Sequence, residues 1–487
     1  MGSEMCIRDS SFAFRSLSST EGNLTMSYQS VNPYTGELLK SFPLHTDEQM
    51  QDALRRADER FRSFGTLAER TAVLKKAAEL MVGRREELAG LITTEMGKRI
   101  HESRDEVNLS AAILMYYAEH AARFLTNRVL DSSVGEAWVE FEPIGVLVGV
   151  EPWNYPYYQL VRFVGPNLAL GNPILMKHAP GVPQCALAFE KIMIDAGAPD
   201  GAYTNLYLSN DQVSALIKDP RVQGVALTGS EKAGESLAAQ AGEQLKKCTM
   251  ELGGNDAFIV LEDFDPKLAA RYAVQGRMTN AGQACVGSKR FIAVEAIADE
   301  FLKEVCELLR EYIPGDPADG STTLAPLSSA VAVARLQSQV DTAVENGASI
   351  SVIGKSPDGP GAFMLPTILT GVTPDNPAFR QEFFGPVILF FRAKDEEEAL
   401  AIANDSPFGL GGSICTADPE RARKLASKLQ SGMVFLNFAA LTTPELPFGG
   451  IKRSGFGREL SSFGIEEFAN KKMVCIVDPT KLTNVVA

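Results

Sequence analysis

From residue 144 the chain alternates short apolar runs with helix-length segments, and this rhythm limits the fold more than any other feature. Ile144-Gly-Val-Leu-Val-Gly-Val150 reads as a buried strand, followed by a helix over about 157–170 and a strand at Ile174-Leu-Met-Lys177. A helix over 183–196, a strand at Thr204-Asn-Leu-Tyr-Leu208, a short helix over 211–218, the strand Val222-Gln-Gly-Val-Ala-Leu-Thr228 and a helix from about 231 continue the series. Parallel strands need crossover helices, so this order predicts a parallel sheet covered on both faces. Such sheets bind ligands beyond the carboxyl ends of their strands, where Trp153, Asn154, Lys177, Gly229 and Ser230 fall. A second alternating stretch runs through Ala257-Phe-Ile-Val-Leu261, Arg290-Phe-Ile-Ala-Val294, Val387-Ile-Leu-Phe-Phe391 and Met433-Val-Phe-Leu-Asn437, and predicts a second α/β unit. Residues 47–125 predict a helical layer with caps at Asp47, Thr66 and Thr71. Residues 126–143 and 472–487 read as strands reaching outside both units, which suggests an oligomerisation arm.

A chain of 487 residues is too long for one core. With 47 basic and 61 acidic residues the formal charge is −14, which argues against nucleic acid or an anionic membrane as a general partner. The 7 cysteines are scattered without a C-x-x-C pair, which fits a reducing compartment rather than a disulfide framework. The 4 histidines are equally dispersed, so no metal site is expected. No apolar run approaches the ~18 residues of a membrane span. The first 26 residues are Ser-rich, carry Arg8 and Arg15 and lack helical periodicity. They read as a non-core leader or artefact, with Met26 as a native start, and a cytoplasmic protein is expected; if they are a true presequence, the location is the mitochondrial matrix.

Chemistry concentrates in two segments. Cys285 lies in Asn280-Ala-Gly-Gln-Ala-Cys-Val-Gly287, and Glu251 lies in Met250-Glu-Leu-Gly-Gly-Asn-Asp256. A lone cysteine is more often a small buried hydrophobe, and a lone glutamate is usually solvated. Glycines on either side allow the close backbone approach that a nucleophile and its partner base require. Gly229-Ser230 opens a helix after a strand and would seat a phosphate, although the full dinucleotide fingerprint is missing. Lys177 reads as a snorkelling surface lysine or as a ligand for a cofactor ribose or phosphate. Glu382-Phe-Phe-Gly-Pro386 is an ordinary turn, or an acid and a flat ring suited to a ribose. Asn154 is an Asx-turn residue, or an amide donor to a developing oxyanion.

These segments together resemble the aldehyde dehydrogenase superfamily. The resemblance covers roughly residues 30–475 and rests on Glu151-Pro-Trp-Asn-Tyr-Pro156, Lys177, Thr228-Gly-Ser230, Met250-Glu-Leu-Gly-Gly254, Asn280-Ala-Gly-Gln-Ala-Cys285, Glu382-Phe-Phe-Gly-Pro386 and Pro447-Phe-Gly-Gly-Ile-Lys-Arg-Ser-Gly455. It implies a Rossmann-type parallel-sheet cofactor domain over 27–125 and 144–248, a catalytic α/β domain over 249–471, and an oligomerisation arm over 126–143 and 472–487. It also implies a homodimer or homotetramer, and oxidation of an aldehyde to an acid with NAD or NADP. In that reading Cys285 attacks as thiolate, Asn154 and the Cys285 N–H hold the oxyanion, and Glu251 activates the water that releases the thioester. Trp153, Lys177, Pro180, Gly229, Ser230, Glu382 and Phe384 surround the cofactor. The presence of Glu251 predicts release as the free acid rather than transfer to coenzyme A.

Residues 151–180 are most similar to the bacterial succinate-semialdehyde dehydrogenases. Arg162 falls where that group holds the substrate's far carboxylate. Two positions depart from the pattern: Thr279 replaces a second arginine and Thr442 replaces a serine at the substrate mouth. Another short oxo acid or a neutral aldehyde therefore stays open, as does a catalytically silent binding protein on the same fold. Pro180 replaces the glutamate of strict NAD users, so NADP is expected to be tolerated. Gly287 stands two residues after Cys285, which leaves no vicinal cysteine.

Overall fold

The computed structural model describes residues 28–355 and 361–479. Two sheets carry the architecture. The first has six strands, in the order Gly455–Phe456, Lys247–Glu251, Val222–Thr228, Val146–Glu151, Ile174–His178 and Tyr203–Asn205. Five of them are parallel, and Gly455–Phe456 closes the edge antiparallel to Lys247–Glu251. The chain starts at the central strand Val146–Glu151, builds outward to Tyr203–Asn205, then returns to add Val222–Thr228 on the other side. The strand order thus reverses between Val146–Glu151 and Val222–Thr228. A crevice opens beyond the carboxyl ends of strands at such a reversal.

The predicted crossover helices are present at Tyr158–Leu170, Pro183–Asp195, Asn210–Lys218 and Glu231–Glu243. Helices Asp47–Phe61, Leu67–Gly83, Arg85–Met96 and Ile100–Phe124 form the helical layer. Of the three expected caps Thr66 is found, and Asp47 and Thr71 are not caps. Thr46 and Thr66 cap the first two helices through reciprocal capping boxes with Gln49 and Glu69. Asp47 sits one residue inside the first helix, where its carboxylate accepts from Gln212 at 2.8 Å. Thr71 is interior to the second helix and bonds back to the Ala68 carbonyl at 3.1 Å.

The second sheet has seven strands, in the order Ser349–Val352, Thr367–Thr370, Val387–Ala393, Ser288–Val294, Asp256–Val260, Gly412–Cys415 and Phe435–Leu436. All neighbouring pairs are parallel except Ser349–Val352 with Thr367–Thr370. Its central strands are buried on both faces, which is why they read as unbroken apolar runs. Phe258, Phe291, Phe301 and Phe390 form a chain of ring contacts with centroids 5.9–6.3 Å apart. The expected arm is a separate three-stranded antiparallel sheet of Ala469–Val477, Gly135–Pro143 and Arg128–Leu130. Its last strand starts three residues before the expected 472. Residues 1–26 and 480–487 lie outside the described residues. Among the described residues no helix is long and apolar enough to cross a membrane.

Phe291 is wholly buried at the centre of the second sheet. Phe291→Ala is expected to cost about 3–5 kcal/mol by removing ring contacts and leaving a cavity. A lower midpoint of urea unfolding, followed by tryptophan fluorescence and circular dichroism, checks this.

Candidate active site

The nucleophile loop is bent into place by its backbone. After the helix Pro266–Met278 the chain enters a 3-10 turn at Thr279–Gly282, in which Asn280, Ala281 and Gly282 have φ of 55°, 51° and 79°. Left-handed conformation is disfavoured for alanine, so the surroundings must impose it. They do so through close contact: a Cβ on Gly282 would lie 2.4 Å from the Gly385 carbonyl oxygen. The loop then passes Cys285 and enters the strand Ser288–Val294.

Two buried cations fasten this loop, and neither stood out in the sequence. The Lys289 ammonium is fully enclosed and donates to the carbonyls of Ala284 at 2.9 Å and Cys285 at 2.6 Å. It also pairs with Glu382 at 3.2 Å. Arg277, equally enclosed, donates to the carbonyls of Val387 at 2.9 Å, Phe383 at 2.7 Å and Gly282 at 3.3 Å, and also to Gly385. The nucleophile loop and the Glu382-Phe-Phe-Gly-Pro386 turn are thereby tied to one another. The Cys285 side chain is half-buried. Burial pushes its thiol up to about 11, against the opposing charges of Arg162 and Lys289.

Asn154 lies in the loop that leaves the central strand of the first sheet. Its Oδ1 accepts from Gln159 at 2.9 Å, which orients the amide so that Nδ2 donates to the Gln283 carbonyl at 3.0 Å. Asn280 Nδ2 returns a bond to the Asn154 carbonyl at 2.9 Å. The amide donor is therefore fixed two residues from the nucleophile, with its second N–H free of any partner given by these bonds. Behind it, Glu106 accepts from the N–H groups of Tyr157 at 2.8 Å and Tyr158 at 3.3 Å, and is paired with the buried Lys98.

Glu251 ends the strand Lys247–Glu251, and the turn that follows packs on the nucleophile: a Cβ on Gly254 would lie 2.5 Å from the Cys285 carbonyl oxygen. Glu251 is buried and neither of its oxygens is held by a hydrogen bond. Burial first, then the neighbouring Glu459, raise it well above the usual carboxylate range. Arg162 links the two halves, because its charge acts on both Cys285 and Glu251. This arginine is not open to solvent. It is ion-paired with Glu459, donates to the Tyr158 hydroxyl and to Thr228 Oγ1, each at 3.1 Å, and lies against the Phe448 ring at 4.4 Å. Tyr158 also shares a hydrogen bond with the half-buried Thr442. Thr279 is exposed, and its hydroxyl turns back to the Gln275 carbonyl at 2.8 Å.

The remaining expected positions line the crevice edges. Ser230 caps the helix Glu231–Glu243 by accepting from the Ala233 N–H at 3.4 Å, and Gly229 precedes it at the helix N-terminus. Lys177 is buried in its strand with no ion pair among the described residues, and burial lowers it to about 8. Pro180 is exposed, and its carbonyl accepts from Gln29 at 3.0 Å. Trp153 and Phe384 meet edge to face at 5.9 Å. One oxygen of Glu382 accepts from the Gly254 N–H at 3.1 Å, and the other lies 2.5 Å from where a Gly253 Cβ would be. A buried cation lacking a carboxylate, and a helix N-terminus beyond a strand end of the same sheet, fit an anionic group with phosphates.

A thiol near 11 is mostly protonated at neutral pH. Iodoacetamide labelling of Cys285 is expected to rise about tenfold per pH unit from pH 7 to 9 without levelling. Peptide mass spectrometry of the labelled protein checks this, and a plateau near pH 8 would contradict the environment described.

Comparison with known proteins agrees with this geometry. The aldehyde dehydrogenase family model matches residues 20–474. The chain is 49% identical over 449 residues to the succinate-semialdehyde dehydrogenase [NADP(+)] of Deinococcus radiodurans, covering 92% of this chain and 94% of that one. It is 41% identical to the succinate semialdehyde dehydrogenase [NAD(P)+] Sad of Escherichia coli K12, covering 91% and 97%. The crystal structure of succinic semialdehyde dehydrogenase from Streptococcus pyogenes in complex with NADP+ superposes with a TM-score of 0.91 at 44% identity, covering 93% and 100%. The chain belongs to the aldehyde dehydrogenase family.

Proposed function

We propose that this protein oxidises succinate semialdehyde to succinate, using NADP or NAD, through a thioester on Cys285. The observation that carries this reading is the pairing of a nucleophile that follows a left-handed turn with a buried carboxylate, Glu251, that has no hydrogen-bond partner. The names of the similar enzymes supply the substrate and the cofactor.

In this mechanism the Cys285 thiolate adds to the aldehyde carbon, and the new oxyanion accepts from Asn154 Nδ2 and the Cys285 N–H. Gln159 and Gln283 keep the amide pointed that way. A bound nicotinamide cofactor would supply the acceptor for the hydride that leaves that carbon. Lys177, Gly229 and Ser230 would hold its phosphates and adenosine ribose. Glu382 would hold the nicotinamide ribose, with Trp153 and Phe384 beside the ring. Pro180 brings no carboxylate against a 2′-phosphate, which favours NADP. Glu251 then takes a proton from water as it attacks the thioester, and the free acid leaves.

The substrate's own carboxylate would accept from Tyr158 and Thr442, with the Arg162 charge directly behind them. We assign the cofactor domain to 28–125 and 144–248, the catalytic domain to 249–468 and the arm to 126–143 and 469–477. Val129, Met473 and Ile476 are exposed apolar residues on the arm, which supports a homodimer or homotetramer. Six free cysteines among the described residues support a cytoplasmic location.

Absorbance at 340 nm tests the reading. Turnover is expected to be strongest with succinate semialdehyde, weaker with butanal and glutarate semialdehyde, and abolished by Cys285→Ala. Turnover strongest with butanal would move the assignment to a neutral aldehyde. A second expectation concerns Glu251. Its raised carboxyl is active only when ionised, so hydrolysis should fall as pH drops through a value above the ordinary glutamate range. Glu251→Gln should keep the first turnover of hydride and slow later ones by about 10²–10⁴-fold. Rapid-quench mass spectrometry should find acyl-Cys285 accumulating, and its absence would remove Glu251 from this step.

A further inference from the structure

At the crevice where the strand order reverses, more carboxylates meet than the reaction requires. Glu151 ends the strand Val146–Glu151, Glu251 ends Lys247–Glu251, and Thr228 ends the strand between them. Thr228 lies opposite Glu251 in register, and Val150, before Glu151, lies opposite Leu227. Glu459 enters from the segment after Gly455–Phe456 and pairs with Arg162. All four ionisable groups of this cluster are buried. Neither oxygen of Glu251 has a hydrogen-bond partner, and Glu151 has only the Thr228 hydroxyl beside it. Three carboxylates against one guanidinium would leave a net charge of −2 (one positive minus three negative) in a dry space. Such a space does not hold that charge, so protons must be shared among the carboxylates.

The other groups facing Glu151 do not supply the missing positive charge. His178, opposite it in the sheet, is lowered to about 4 by burial and is neutral. Tyr203 is a buried phenol. The Thr228 hydroxyl accepts from Arg162 and shares a hydrogen bond with Glu151, but it carries no charge. Arg458 acts on Glu251 rather than on Glu151. Glu151 and Glu251 therefore both draw on Arg162 and compete for the same protons, with Arg458 adding to Glu251 alone.

We propose that Glu151 is a positioning residue for hydrolysis of the acyl-enzyme: set across Thr228 from Glu251, it tunes how readily Glu251 takes the proton of the attacking water. The inference rests on the reading of Glu251 given above. In the step concerned, water oxygen bonds to the thioester carbon and one water proton goes to Glu251. The C–Sγ bond breaks with its electron pair returning to Cys285. Glu151 touches neither water nor substrate. Its charge acts on Glu251 and on Arg162, and reaches Cys285 only through Arg162, so the decay of the acyl-enzyme is affected more than hydride formation.

Glu151→Gln keeps the shape and removes the competing charge. Acyl-Cys285 is formed with succinate semialdehyde and NADP, and its decay is followed by rapid-quench mass spectrometry from pH 5 to 9. The acid limb of decay is expected to move to lower pH by ~0.5 unit or more, while the rate of first-turnover hydride formation changes by less than the rate of decay. Glu151→Asp, which retains the carboxylate, is expected to keep the limb near the wild-type position. Glu151→Thr gives the same reading if the glutamine form does not fold. An unmoved limb, or equal loss of both steps, would overturn the proposal and leave Glu151 a structural member of the cluster. A wild-type acyl-enzyme whose decay is indifferent to Glu251→Gln would instead overturn the assignment of Glu251, and this proposal with it.

Discussion

The grip of Lys289 on the carbonyls of Ala284 and Cys285 is the contact on which the site depends. A fully buried ammonium is costly unless surrounding oxygens satisfy it. Here the oxygens come from the nucleophile loop and from Glu382, so the cost of burial becomes a constraint on where the loop can lie. Arg277 repeats the device from the other side by holding the 383–387 turn. With both cations in place, the three left-handed residues 280–282 have one way to turn, and Cys285 arrives at the crevice.

The same crevice gathers groups from both sheets. The first sheet contributes Asn154 and Glu251 at strand ends, and the second contributes the strand that follows Cys285. Arg162 stands between them and acts on thiol and carboxylate alike. Its charge is also shared by Glu459, Glu151 and the Tyr158 hydroxyl, so the site's electrostatics belong to a cluster rather than to pairs.

Much of this was legible in the sequence. The parallel sheet followed from apolar runs separated by helix-length segments, and Val222–Thr228 fell at its expected bounds. Glu251 and Cys285 were marked by their glycines, whose missing side chains make room for Glu382 and for the Cys285 carbonyl. Thr71 misled because a threonine inside a helix and one at its start look alike until hydrogen bonds are counted. Lys289 and Arg277 were invisible for a different reason. Charged residues are ordinarily solvated, and nothing local reveals that these will be enclosed by carbonyls from distant segments. Arg162 was found by resemblance, but only the fold reveals that its guanidinium is already engaged on several sides.

Lys289 and Arg277 hold main-chain oxygens, which every amino acid carries. Among the loop's side chains, Asn280 and Gln283 share in the anchoring. Val286, half-buried beside the nucleophile, makes none of these bonds, so the path of the loop does not depend on its side chain, whereas a larger residue at the buried Ala284 would have to displace its neighbours. The reactive sulfur thus sits on a framework of main-chain bonds that leaves the position after it open to substitution.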